Sequence, residues 1–128
     1  MIFLDTSVAL AQLIDRDRFP PTELWDQGVV ASRLLQYEAW VVLHARGLAA
    51  SHGQELTELL GRIAFLELDP RILARAMEPF PLPVRTLDAL HLASLAFLRD
   101  EGLDPRLASY DDRMVASARR MRFGIFPL

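Results

Sequence analysis

Pro83-Val84-Arg85-Thr86-Leu87-Asp88-Ala89-Leu90-His91-Leu92-Ala93-Ser94-Leu95 is the stretch on which the reading of this chain turns. It has the form of a helix start. Pro83 closes a stiff, proline-spaced loop, and Thr86 is expected as the N-cap, its hydroxyl accepting from the free amides of the first turn. The run that follows is apolar except for Asp88 and His91. At helical spacing Asp88, His91, Leu92 and Leu95 share one face. A carboxylate on an apolar face costs free energy unless it has partners. One explanation is local, since an acid in a first turn answers the helix dipole. The other is that further carboxylates meet it there.

Working outward, short apolar runs alternate with helical segments. Met1 to Leu4 reads as a buried parallel strand, and Val8 to Ile14 as a helix. Asp15-Arg16-Asp17-Arg18 reads as an exposed polar turn. Pro20-Pro21 opens a short helix through Gln27, with Gly28 as its cap. Val29 to Ser32 is a second strand, and Ser32 caps a helix from Arg33 to about Arg46 that ends at Gly47. Leu34, Val41, Val42 and Ala45 are its expected core stripe, with Glu38 on the same stripe. Ser51 to Ile63 is a helix with Ser51 and Gln54 in a capping-box pattern. Phe65 to Leu68 is a third strand, and Arg71 to Glu78 a helix cut by Pro79. The helix containing Asp88 extends to about Glu101 and stops at Gly102. Arg106 to Tyr110 is a fourth strand, Arg113 to Met121 a helix, and Phe123 to Phe126 a short fifth strand. Strands alternating with helices indicate an α/β fold with a parallel sheet covered on both faces.

Composition narrows the function. The 128 residues suggest one domain, and 52% hydrophobic content supplies a core. No apolar run approaches the roughly 20 residues that span a bilayer. The N-terminus lacks the basic region of a signal peptide, so a cytoplasmic location is expected. With no cysteine there is no disulfide, thiolate metal site or cysteine nucleophile. The net charge of −3 argues against a general nucleic-acid binder. All 14 basic residues are arginine, so P-loop and Schiff-base chemistries, which use lysine, are excluded.

Four acids then stand out together. Asp5 and Asp111 each follow a strand directly, Asp88 opens a helix, and Glu38 lies in the second turn of a helix leaving a strand. All can reach the carboxyl edge of one sheet, where open α/β sheets bind ligands. Taken singly, Asp5 and Asp111 read as N-caps and Glu38 as a glutamate at the edge of its stripe. Crowded together, like charges raise one another's pKa. A hard divalent cation with oxygen ligands is the cheapest compensation, so Mg²⁺ or Mn²⁺ is the expected cofactor. Such a site suits phosphodiester hydrolysis, in which metals activate water and clamp the attacking and leaving oxygens.

These pieces resemble a known family. Leu4-Asp5-Thr6-Ser7, Ser32 with Glu38 six residues later, the Arg85 to Ala93 segment, and Ser109-Tyr110-Asp111 are similar, in order and over nearly the whole chain, to PIN-domain ribonucleases, and within them to VapC-type toxins of toxin–antitoxin pairs. The resemblance implies a PIN-like three-layer α/β/α fold over residues 1–128, with five parallel strands in order 3-2-1-4-5. It implies that Asp5, Glu38, Asp88 and Asp111 form the acidic metal site, with Ser7 assisting. Asp111 matches the family's Tyr-Asp pattern, which leaves Asp112 as an N-cap or an outlying helper. His91 is read as a packing or supporting residue. The implied activity is metal-dependent cleavage of RNA. The implied partners are the RNA substrate, a cognate antitoxin whose tail covers the acidic groove, and a second copy of the chain in a homodimer, with no membrane involved. Arg85, Arg33 and Arg113 are the nearest candidates for substrate phosphates. A housekeeping RNA-processing nuclease and an inactive PIN binding module are the alternatives. Receiver and haloacid-dehalogenase folds also gather acids at a sheet edge, but they normally use a lysine there.

Overall fold

The computed structural model describes residues 1–15 and 17–128. Arg16, within the expected polar turn, lies outside the described residues. Five strands alternate with helices: β1 (Ile2–Leu4), α1 (Thr6–Ile14), β2 (Val29–Ser32), α2 (Leu34–Ala45), α3 (Ala49–Leu60), β3 (Ala64–Leu66), α4 (Pro70–Ala76), α5 (Thr86–Asp100), β4 (Arg106–Ala108), α6 (Asp112–Arg120) and β5 (Gly124–Ile125). The sheet is parallel throughout, with order β3-β2-β1-β4-β5. The fold is the expected three-layer α/β/α arrangement.

Side-chain alternation explains the layers. Successive residues of a strand point to opposite faces. Ile2 and Leu4 pack with Val29, Ala31, Val8, Leu35 and Leu56 on one side of the sheet. Phe3 and Val30 pack with Leu92, Leu95, Leu107 and Met114 on the other. A strand buried on both faces has no polar alternation, which is why Ile2-Phe3-Leu4 is a continuous apolar run.

Several local expectations are corrected. The segment after Pro21 holds only a 3₁₀ turn, Thr22–Leu24, and Gly28 is not among the left-handed glycines, which are Gly47 and Gly102. The buried stripe of α2 is Leu34, Leu35, Ala39 and Leu43; Val41 is exposed. Val41 and Val42 are both apolar, so the 3.6-residue period alone does not say which turns inward. The capping box does not form: Ser51 Oγ donates to the Leu48 carbonyl, and Gln54 reaches Glu58. Thr86 is the first residue of α5, Arg85 holds the N-cap position, and no side chain caps that helix.

This topology creates the site. The chain winds outward through β2 and β3 on one side of β1, then returns to build β4 and β5 on the other. The connections therefore diverge between the carboxyl ends of β1 and β4 and leave a crevice there.

Candidate acidic site at the sheet switch point

Asp5 follows β1 at that crevice, and its amide donates to the Ala108 carbonyl of β4 at 3.0 Å. Its side chain is buried, yet it caps no helix. Instead its Oδ2 accepts from Ser7 Oγ at 2.6 Å and from Ser109 Oγ at 2.7 Å. Each hydroxyl also accepts a backbone amide, Ser7 from Tyr110 at 3.0 Å and Ser109 from Asp111 at 2.9 Å. The two serines thus stitch the ends of β1 and β4 together and satisfy a carboxylate that burial would otherwise penalise.

Asp111 is the N-cap of α6. Its Oδ1 accepts from the amides of Arg113 at 2.9 Å and Met114 at 3.2 Å. The cap therefore belongs to Asp111 and not to Asp112, which is the exposed first residue of the helix. Glu38 stands at the edge of the α2 stripe, facing α5. Its Oε1 accepts from Thr6 Oγ1 at 2.9 Å and from His91 Nε2 at 2.5 Å. A carboxylate only accepts, so the His91 proton sits on Nε2. Asp88, in the first turn of α5, meets the Arg85 Nε at 3.5 Å.

The acids feel one another. Burial, then the charges of Asp111 and Asp5, raise the Asp88 pKa above its ordinary value, against the pull of Arg85 and His91. Burial lowers the His91 pKa, but the hydrogen bond to Glu38 and the charges of Asp5, Glu38 and Asp88 together bring it above its ordinary value. His91 Nδ1 is buried without a hydrogen-bond partner among the described residues.

Three of the carboxylates show the same division of labour. Asp5, Glu38 and Asp111 are each fixed through one oxygen, while the other takes no hydrogen bond from a backbone or hydroxyl group among the described residues. That donor set, hard and anionic, fits a divalent cation. Among the described residues no three of these groups stand close enough together to enclose an ion as they are placed, so ligation requires the open oxygens to draw in. The residues that would hold the metal are Asp5, Asp88, Asp111 and Glu38, and the metal would supply Lewis acidity and an activated water.

Two clefts flank these acids. One, of about 560 Å³, is lined by Ser7, Arg18, Arg85, Tyr110, Asp111 and Arg113, among others. The other, of about 500 Å³, is lined by Glu38, Arg85 and Asp88 with Val84, Thr86 and Leu87. Of the expected arginines, Arg85 and Arg113 are here. Arg33 is tied instead to Glu67 at 2.7 Å and to Gln36 at 3.0 Å. The sequence offered no sign of the hydroxyl roles of Thr6 and Ser109, because the carboxylates they donate to, Glu38 for Thr6 and Asp5 for Ser109, lie far away in the chain. Arg18 lies at the cleft and stacks its guanidinium 5.4 Å from the Tyr110 ring centre.

Comparison with known proteins identifies the family. The PIN domain family model matches residues 2–119. Ribonuclease VapC46 of Mycobacterium tuberculosis is 34% identical over 97 residues, covering 75% of this chain and 71% of that protein. The crystal structure of M. tuberculosis VapC20, titled a sarcin-ricin loop cleaving toxin, superposes with a TM-score of 0.66 at 21% identity, covering 91% of this chain and 94% of that one. The chain therefore belongs to the PIN-domain family, in its VapC-type branch.

Proposed function

We propose that this protein is a metal-dependent endoribonuclease, one domain over residues 1–128, acting in the cytoplasm as the toxin of a type II, VapBC-like toxin–antitoxin pair. Its relative is named a ribonuclease and its structural neighbour a sarcin-ricin loop cleaving toxin, and the ribonuclease supports RNA as the substrate. The observation that carries the reading is the set of carboxylates at the switch point, where burial and then the charges of Asp111 and Asp5 raise the Asp88 pKa. Mg²⁺ or Mn²⁺ relieves that repulsion. Asp5, Asp88 and Asp111 hold the ion, and Glu38 holds it or orients the attacking water. Ser7 holds Asp5 in place. Substrate phosphates lie against the arginines of the neighbouring cleft. A cognate antitoxin masks the groove, and the toxin works as a homodimer.

The purified protein should cleave single-stranded or loop regions of a structured RNA with Mn²⁺ or Mg²⁺ and stop in EDTA. Undiminished cleavage in EDTA, with contaminating nuclease controlled, overturns the metal mechanism. Expressed without a partner it should arrest bacterial growth, and Asp5→Ala at equal protein level should relieve the arrest. A neighbouring reading frame with a DNA-binding N-terminus and a disordered tail would supply the antitoxin.

A further inference from the structure

Arg85 stands where the metal site and the cleft meet. Its Nε is 3.5 Å from Asp88 Oδ2 and its Nη2 is 3.3 Å from Asp111 Oδ2. Asp88 belongs to α5 and Asp111 to the cap of α6, so this one guanidinium bridges two carboxylates from separate elements. The oxygen it takes on Asp111 is the one left over, because Oδ1 is committed to the amides of Arg113 and Met114. An ion held by Asp111 needs that same Oδ2.

A guanidinium and a divalent cation cannot both occupy one carboxylate oxygen without strong repulsion. The Arg85 side chain is 70% exposed and both of its contacts are long, so its hold is weak and readily broken. It also lines both clefts, and on the Asp111 side it shares the cleft with Arg18 and Arg113. A guanidinium displaced from the acids therefore stays beside two other cations, in a position suited to a phosphodiester.

We propose that Arg85 is an internal counter-cation that competes with the metal for Asp88 and Asp111 and, once displaced, is handed over to a substrate phosphate. This inference rests on the proposed metal-dependent ribonuclease reading. It makes metal loading and RNA capture cooperative, since each favours the same released position of Arg85.

The test compares wild type with R85Q, and with R62Q as a control for net charge, because Arg62 packs over Trp25 away from the acids. Mn²⁺ affinity is measured by calorimetry at fixed ionic strength. Binding of a short single-stranded RNA oligonucleotide is measured with Mn²⁺ present across a salt series by rapid mixing, within times shown by gel to leave the RNA intact. R85Q should bind Mn²⁺ roughly three- to tenfold more tightly, because it gives up no ion pair on loading. The same variant should bind the RNA more weakly, and its slope of log affinity against log salt should fall by about 0.7. R62Q should match wild type in both. A purely structural Arg85 would not move the two affinities in opposite directions. Equal or weaker Mn²⁺ binding by R85Q overturns the competition, and unchanged RNA binding overturns the handover. Absence of Mn²⁺ binding by the wild type overturns the metal reading itself, and this inference with it.

Discussion

His91 Nε2 donates to Glu38 Oε1 across 2.5 Å, and Thr6 Oγ1 donates to the same oxygen. The pair joins α5 to α2 and leaves the second Glu38 oxygen open to the crevice. His91 is therefore a positioning residue for Glu38.

Replacement of His91 should separate position from packing. His91→Gln keeps a donor near the Nε2 position and should retain most metal affinity. His91→Leu removes the donor and should cost about 1–3 kcal/mol of stability, because a largely buried carboxylate loses a partner. Its Mn²⁺ affinity should fall with it. The raised His91 pKa stabilises the fold below the ordinary value of 6.5, and that contribution is lost as pH rises through the folded pKa. His91→Gln should abolish this part of the pH dependence, as read by melts from pH 5 to 9. A stable His91→Leu with unaltered metal affinity would falsify the positioning role.

Asp88 gives a slope of the same sign in a more acidic window, but as a penalty on the charged form rather than a gain for it. Its pKa is raised in the folded state, so the folded protein binds more protons than the unfolded chain just above 3.8. Stability falls as pH rises through that window, and the penalty is complete above the folded pKa. Asp88→Asn in EDTA should melt at or above the wild-type temperature at pH 7, with the advantage shrinking as pH falls toward 4. Added Mn²⁺ should stabilise wild type far more than the variant. Equal metal-induced shifts would show that Asp88 is not a ligand.

Asp111 carries two duties that different substitutions split. Asp111→Asn keeps an oxygen for the Arg113 and Met114 amides and should fold with nearly wild-type stability while losing most RNA cleavage. Asp111→Ala loses the cap as well, at about 1 kcal/mol. Asp112→Asn caps nothing and should leave both properties near wild type. Denaturant melts paired with cleavage assays check all three, and reversed losses at positions 111 and 112 would exchange their roles.

Ser109 tests the stitching of β1 to β4. Ser109→Ala removes a donor from buried Asp5 and an acceptor from the Asp111 amide together. A loss of about 1–3 kcal/mol is expected, with weaker Mn²⁺ binding because both carboxylates proposed to hold the ion, Asp5 and Asp111, loosen. Chemical denaturation and calorimetry read the two effects, and a fully stable variant would mean that water replaces the hydroxyl without cost.

The alternation of apolar runs with helical segments determined the element order, because a doubly covered parallel strand such as Ile2-Phe3-Leu4 must be apolar throughout. The placement of Asp5 directly after β1 was legible for the same reason, because a strand's end fixes which sheet edge the next residue reaches; β4 ends at Ala108, not at Tyr110, so Asp111 follows it across Ser109 and Tyr110. The 3-2-1-4-5 order came with the likeness of four short motifs to a family, not with periodicity, whereas the grouping of the four acids at one sheet edge was read from the strand ends and helix starts that carry them. Tertiary structure alone decided where the short polar side chains spend their hydrogen bonds. Thr6, Ser51 and Thr86 all carry hydroxyls suited to capping, yet Thr6 serves Glu38, Ser51 serves a carbonyl behind it, and α5 starts without a side-chain cap. A hydroxyl takes the best acceptor within about 3 Å, and for Thr6 that acceptor arrives from a residue 32 positions away. The bridge from Arg85 to Asp111 spans 26 positions, and no spacing rule encodes it; it exists because the sheet sets the start of α5 beside the start of α6.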